Sequence, residues 1–250
     1  MTDTLTQEAV EPHLSGCFGK PYLYEPECES TQQLLLGSGL PEGAVAATDH
    51  QTGGRGRLGR TWEEPPGSSV LVSVLLRPPA GRRLPELSLV AALAVAEAVE
   101  VAVVLAAQVK WPNDVMLNRR KVAGILSELS DGTVVVGIGI NVNQTREELP
   151  SNSSTEPASL RTATGTTYDR AIILGLVLSR LERMYDVWLE QGLDGVYGGL
   201  GARDFLRGRR ITADDEKATA IQILRDGRLE IETDAGEIKA LESGEVLFER

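Results

Sequence analysis

Cysteine and histidine are almost absent from this chain. Its cysteines are Cys17 and Cys28, with no Cys-x-x-Cys spacing, and its histidines are His13 and His50. So sparse a set excludes a disulfide framework and a zinc site of the usual ligand spacing, and it suits a reducing compartment. Long apolar runs are missing too. Val101–Ala107 is among the longest and falls far short of a bilayer span. Positive charge is scarce: the formal net charge is −11 and the arginines are not pooled on one stretch, which argues against broad nucleic-acid binding. The opening Met-Thr-Asp-Thr-Leu-Thr-Gln-Glu is polar and acidic, unlike a secretory signal. These absences predict a cytoplasmic protein with no membrane and no nucleic-acid partner.

What is present suits a folded enzyme-sized domain. With 250 residues, 42% apolar and 24% charged, the chain can bury one good core and carry a small appendage. Residues 1–20 are loose or form a short helix. Strands are expected at Tyr22–Tyr24, Gly43–Thr48 and Ser69–Leu76, with a short helix over Thr31–Leu36 stopped by Gly37-Ser-Gly39. Pro85–Leu105 has the strongest helical spacing. A meander follows, with strands near Gln108–Trp111, Val115–Leu117, Lys121–Glu128 and Thr133–Asn141 and turns at Asn118-Arg-Arg120 and Asp131-Gly132. Residues 144–168 read as a long surface loop and Asp169–Gln191 as a second long helix. The last 45 or so residues have short strands separated by turns at Asp226-Gly227, Asp234-Ala-Gly236 and Ser243-Gly244, which predicts a small β-barrel-like module.

Three segments carry chemistry. Gly54-Arg-Gly-Arg-Leu-Gly59 spells the dinucleotide fingerprint, but the residues after it, Arg60-Thr-Trp-Glu-Glu-Pro-Pro-Gly67, cannot open the helix that fingerprint needs. Arg55, Arg57 and Arg60 lie within six residues. Such crowding invites an anion, a phosphate or a carboxylate, and predicts a loop that its ligand orders; the plain alternative is a solvated arginine loop. In Val109-Lys110-Trp111 the alternation of a strand points Lys110 away from its apolar neighbours. Pro112 then ends the ladder and turns Asn113 and Asp114 back toward Lys110; the alternative is an ordinary strand-end turn with a snorkelling lysine. In Gly137-Ile-Gly-Ile-Asn141, two glycines and Asn141 share one face, a bare strip against which a ligand or another backbone can lie.

Taken together these segments resemble the biotin protein ligase family. Glu29-Ser-Thr-Gln32 is similar to the family's Ser-Thr-Asn segment, and His50-Gln51-Thr with Gly54-Arg-Gly-Arg-Leu-Gly-Arg60-Thr-Trp62 to its adenylate-binding loop. Lys110-Trp-Pro-Asn-Asp114, Lys121-Val-Ala-Gly-Ile125 and Gly137-Ile-Gly-Ile-Asn141 match the remaining motifs in order and spacing, over roughly residues 22–250. The resemblance implies an ATP- and magnesium-dependent ligase that converts biotin to biotinyl-5′-AMP and passes the biotin to a lysine of a biotin carboxyl carrier domain. It implies roles as well. Lys110, Arg55 and Asp114 form the catalytic set, Lys110 bridging carboxylate and α-phosphate and Asp114 orienting the incoming lysine. Ser30, Thr31, Gln32 and Gln51 meet biotin, with Gly54, Gly56, Gly124 and Gly137 as close-approach backbone. Arg55 and Arg57 hold the phosphate and the biotin carboxylate, Arg60 the loop or pyrophosphate. Trp62, Asn113, Lys121 and Asn141 complete the adenylate side. Gln32 departs from the family's asparagine, and Asp214-Asp-Glu216 from a shorter glycine-bearing turn.

The architecture so implied is α+β: an extension over 1–21, a catalytic domain over 22–203 built on a mixed sheet with helices packed on one side, as in class II synthetases, and an SH3-like barrel over 204–250. The short acidic stretch before Tyr22 leaves no room for the winged helix of the repressor members, so a monofunctional ligase is expected, as monomer or homodimer. Rival readings are a lipoate or octanoate ligase or transferase, a non-catalytic biotin-adenylate sensor acting through protein contacts, and a plain nucleotide-binding module.

Overall fold

The computed structural model describes residues 3–130, 132–151 and 154–249. A seven-stranded mixed sheet dominates it. Its strands are β1 Tyr22–Cys28, β2 Val45–Gln51, β3 Ser69–Leu76, β4 Ala107–Lys110, β5 Asp114–Leu117, β6 Arg120–Ser130 and β7 Thr133–Asn141, in the spatial order β1-β2-β3-β7-β6-β5-β4. β1 and β2 run parallel; the other neighbours pair antiparallel. The expected meander is β4 to β7. Its Asp131-Gly132 turn lies partly outside the described residues, since Asp131 is not among them.

Alternation along the strands sorts their side chains between two faces. Val70, Val72, Val74, Val109, Val115, Ile138 and Ile140 face the main core. There they meet the long helices α3 (Glu86–Val103) and α5 (Arg170–Gln191). Helix α3 is so alanine-rich that it is buried nearly all round. Helix α5 starts where the Asp169 carboxylate accepts the amides of Ala171 and Ile172 and stops at Gly192. The second face is where the structure departs from the one-sided expectation. The short helix α2 (Thr31–Leu35) packs there and forms a small separate core in which Leu35 meets Ala44, Ala46, Leu75 and Val135. A single amphipathic turn is too short for periodicity to tell which face it covers.

The N-terminal stretch takes the short-helix form of its two expected alternatives, and one other segment, 144–168, differs from expectation. Residues 1–20 include one turn of helix, α1 (Gln7–Val10), anchored by the buried Leu5 and Val10. The stretch 144–168 is not all surface. Ser159 and Thr162 form a capping box that starts the helix α4 (Leu160–Thr164), and Gln144, Thr155, Ser159 and Leu160 are buried. Its polar composition hides this because Gln144 and Ser159 spend their side chains on internal hydrogen bonds.

Past the short helix α6 (Tyr197–Ala202), the tail folds into a five-stranded antiparallel sheet. Strands β8 Arg210–Ala213, β9 Glu216–Ile223, β10 Leu229–Thr233, β11 Ile238–Leu241 and β12 Val246–Phe248 lie in the order β11-β10-β9-β8-β12. This sheet is fastened to β4. Val109 donates its amide to the Arg203 carbonyl, and Phe205 donates to that of Val109. The Trp111 indole donates to the Gly227 carbonyl at 2.9 Å. Among the described residues no helix is long and apolar enough to cross a membrane.

Candidate active site

Strand register builds the floor of the site. Leu71 pairs with Gly139, Gly139 with Gly124, Gly124 with Asp114, and Asp114 with Lys110. Cross-strand partners share a face, so residues scattered in sequence from Leu71 to Gly139 fall into one row across five strands. The row has two bare glycines in its middle and charged groups at one end. Beside it runs Ser73–Gly137–Leu126. Above both lies a cavity of about 600 Å³.

Lys110 is buried, 5% exposed, with its ammonium 3.9 Å from Asp114 Oδ2. Burial pushes its pKa below the usual lysine range, and the Asp114 charge opposes that. Asp114 Oδ1 is 2.6 Å from the Lys121 ammonium, so one carboxylate faces two lysines. An anion entering here meets more positive than negative charge. Asn113 is fixed by donating to the Ile125 carbonyl at 2.8 Å and in turn accepts from Arg57 at 3.2 Å.

The glycine–arginine segment forms the wall. Its short 3-10 turn over Arg57–Gly59 opens no helix, as its sequence context requires. The loop is held by protein partners rather than left loose. Arg55 pairs with Glu128 at 2.9 Å, Arg60 pairs with Glu245, and Arg57 also donates to the Gly244 carbonyl at 3.4 Å. Glu128 and Glu245 neutralise the crowding that sequence reasoning assigned to a ligand. Trp62 then folds inward over the glycine strip. A Cβ on Gly139 would stand 2.7 Å from its indole, and one on Gly137 would stand 3.0 Å from the Gln32 amide. The strip therefore accommodates these two side chains as well as lying open toward the cavity. The Trp62 indole N–H is buried with no partner among the described residues, and Lys121 sits 6.0 Å from its ring centre.

At the other end of the cavity the polar groups interlock. Gln51 Oε1 accepts from the Thr31 amide at 2.9 Å, and Thr31 Oγ1 is 2.7 Å from Ser73 Oγ. Gln32 donates to the Leu126 carbonyl at 3.1 Å. Ser30, buried, precedes α2 without capping it by a side-chain bond.

Of the residues singled out from sequence, Ser30, Thr31, Gln32, Gln51, Arg55, Gly56, Arg57, Arg60, Trp62, Lys110, Asn113, Asp114, Lys121, Gly124, Gly137 and Asn141 all line this one cavity. Gly54 does not. A Cβ there would lie 2.4 Å from the Trp62 carbonyl, so it serves the loop's own fold. Asn141 lines the wall, yet its amide already donates to Ala158 at 3.1 Å and accepts from Gln144. Gly139 of the glycine strip lines it too, while sequence reasoning missed Glu63 nearby, Ser154, Thr155 and Pro157 from the 144–168 stretch, and Gly244, Glu245 and Val246 from the tail. No local pattern signals that the tail returns to the site. Among the described residues no cluster of three or more His, Cys, Asp or Glu could hold a metal ion.

The profile of the biotin/lipoate A/B protein ligase family matches residues 26–144. The chain is 33% identical to the bifunctional ligase/repressor BirA of Bacillus subtilis over 91% of its own length and 74% of that protein. It is 36% identical to the biotin–[acetyl-CoA-carboxylase] ligase of Paracoccus denitrificans over 64% of its length and 70% of that one. The biotin protein ligase of Aquifex aeolicus, solved with biotin and ATP, superposes with a TM-score of 0.83 at 33% identity, covering 92% of this chain and 99% of that one. The chain belongs to the biotin protein ligase family. It spans 56% of the BirA of Bacillus spizizenii.

Proposed function

We propose that this chain is an ATP-dependent biotin–protein ligase. A carboxylate oxygen of biotin attacks the α-phosphorus of ATP and pyrophosphate leaves; a carrier lysine amine then attacks the acyl carbon of biotinyl-5′-AMP and AMP leaves. The observation that carries this reading is the row Gly139–Gly124–Asp114–Lys110, with a bare floor leading to a buried cation.

The physical reasons follow from the geometry. Two anions must meet in the first step, and a charge fixed in a low-dielectric site offsets their repulsion where it counts, in the transition state. Lys110 is that charge. An approaching carboxylate and phosphate replace what desolvation costs the ammonium, so substrate binding favours its charged form. Arg55, Arg57 and Arg60 exchange Glu128, Asn113 and Glu245 for phosphate oxygens, which a guanidinium meets with charge-assisted, bidentate bonds. The Trp62 ring, carried on the same loop, offers a face for the adenylate. At the far end Thr31, Gln51 and Ser30 supply the few directional polar groups needed to read a small ureido head. Asp114 holds both lysines and is placed to accept a proton from the incoming amine. Magnesium fits as part of the nucleotide substrate, since it is usually carried by phosphates and few carboxylates.

The decisive experiment is biotin-dependent exchange of labelled pyrophosphate into ATP. Exchange that needs biotin, ignores lipoate and octanoate, and drops about 10²–10³-fold in Lys110→Ala is the expected result. Exchange supported by lipoate or octanoate instead would replace biotin with that acid. Transfer to a biotin carboxyl carrier domain, seen as a mass gain on its lysine, tests the second half.

A further inference from the structure

One buried acid near the site has no part in that chemistry. Glu64 closes the returning end of the glycine–arginine loop, two residues past Trp62. Its side chain is fully covered. Oε1 accepts the amide of Gln51, the last residue of β2, at 3.1 Å, and lies 3.4 Å from His50 Nδ1. Among the described residues Oε2 is buried without a hydrogen-bond partner. The Gln51 side chain in turn fixes the Thr31 amide and, through its hydroxyl, Ser73. Glu64 thus joins the loop's exit to its entrance, and the entrance residue is the one that grips the cavity floor.

We propose that Glu64 is a positioning residue, a buried latch that closes the base of the loop and, by fixing the Gln51 backbone, sets Thr31 for the acid substrate. The inference rests on the ligase reading for the identity of that substrate. Desolvation holds the Glu64 carboxyl up at about 7, so near neutrality it spends much of its time uncharged, and a neutral carboxyl still accepts the Gln51 amide through its carbonyl oxygen. The charged or titratable groups facing it are His50 on β2 and Glu63 beside it, with Cys28 of β1 and Glu148 of the 144–151 segment close by. A group that is harder to ionise when latched than when released closes the latch with proton uptake, so the latch loosens as pH rises through 7.

The test compares wild type, Glu64→Ala and Glu64→Gln in the exchange assay from pH 6 to 8. Glu64→Ala should raise the KM for biotin about tenfold, the scale of one lost buried hydrogen bond. Glu64→Gln keeps the acceptor and no charge, so it should restore the biotin KM and hold it flat across the range in which that of the wild type climbs. An unchanged KM in Glu64→Ala, or a glutamine variant no better than alanine, overturns the proposal. If the wild type shows no biotin-dependent exchange, the ligase reading fails, and the latch is decided separately by tryptic cutting at Arg55 and Arg57. Faster cutting of the alanine than of the glutamine variant upholds it, and equal cutting rejects it.

Discussion

The strand-and-turn Val109–Asp114 and the loop Gly53–Glu64 face each other across one cavity, yet they are held in opposite ways. The first is fastened by backbone. β4 pairs with β5 on one side and with residues 203–205 on the other, and Trp111 is locked to Gly227. The second is fastened largely by side chains, with half-exposed arginines paired to Glu128 and Glu245. Backbone ladders and buried aromatics resist displacement, whereas exposed ion pairs contribute little stability and exchange readily for a better anion. A site that must hold one charge still while it wraps a nucleotide needs both kinds of wall.

Mutations should separate the two walls. The largest effect belongs to Trp111→Ala, which empties a fully buried indole site and should cost about 3–5 kcal/mol in urea unfolding. Next, Arg57→Ala should raise the KM for ATP about tenfold, the scale of one charge-assisted bond, while its unfolding midpoint stays near that of wild type. A matching loss of stability would erase the contrast. Glu64→Gln addresses the hinge of the loop. A carboxyl raised from 4.5 to about 7 on folding contributes stability that is present below about pH 4.5 and is lost as pH climbs through 7. The melting temperature of wild type should therefore fall relative to that of Glu64→Gln between pH 5 and 8. The smallest effect is expected from the exposed pair: a double-mutant cycle of Arg60→Ala with Glu245→Gln should give a coupling of about 0.2–1 kcal/mol in unfolding.

Local pattern foretold the elements well wherever period and punctuation coincide. Ser69–Leu76 and Thr133–Asn141 are strands at the limits expected, and the helix expected at Asp169 starts on that residue as a cap. It failed where polar residues are used internally, as at Gln144, Thr155 and Ser159. It failed also for α2, whose one turn carries too few apolar positions to reveal a second covered face. The site motifs were legible because each is short and chemically marked: arginines on glycine, a lysine before a proline turn, glycines on alternate strand positions.

What the sequence determined by itself was therefore the list of chemical groups and the local geometry that presents each one. Charge, alternation and turn residues act over a few positions, and a reader of the chain sees all of them. Only the tertiary structure decided which groups share a row. The alignment of Gly139, Gly124, Asp114 and Lys110, the return of Glu245 from the tail to Arg60, and the closing of Glu64 on Gln51 depend on strand register and domain packing. Register is set by burying one whole face of the sheet against α3 and α5, a cooperative choice that no single segment makes.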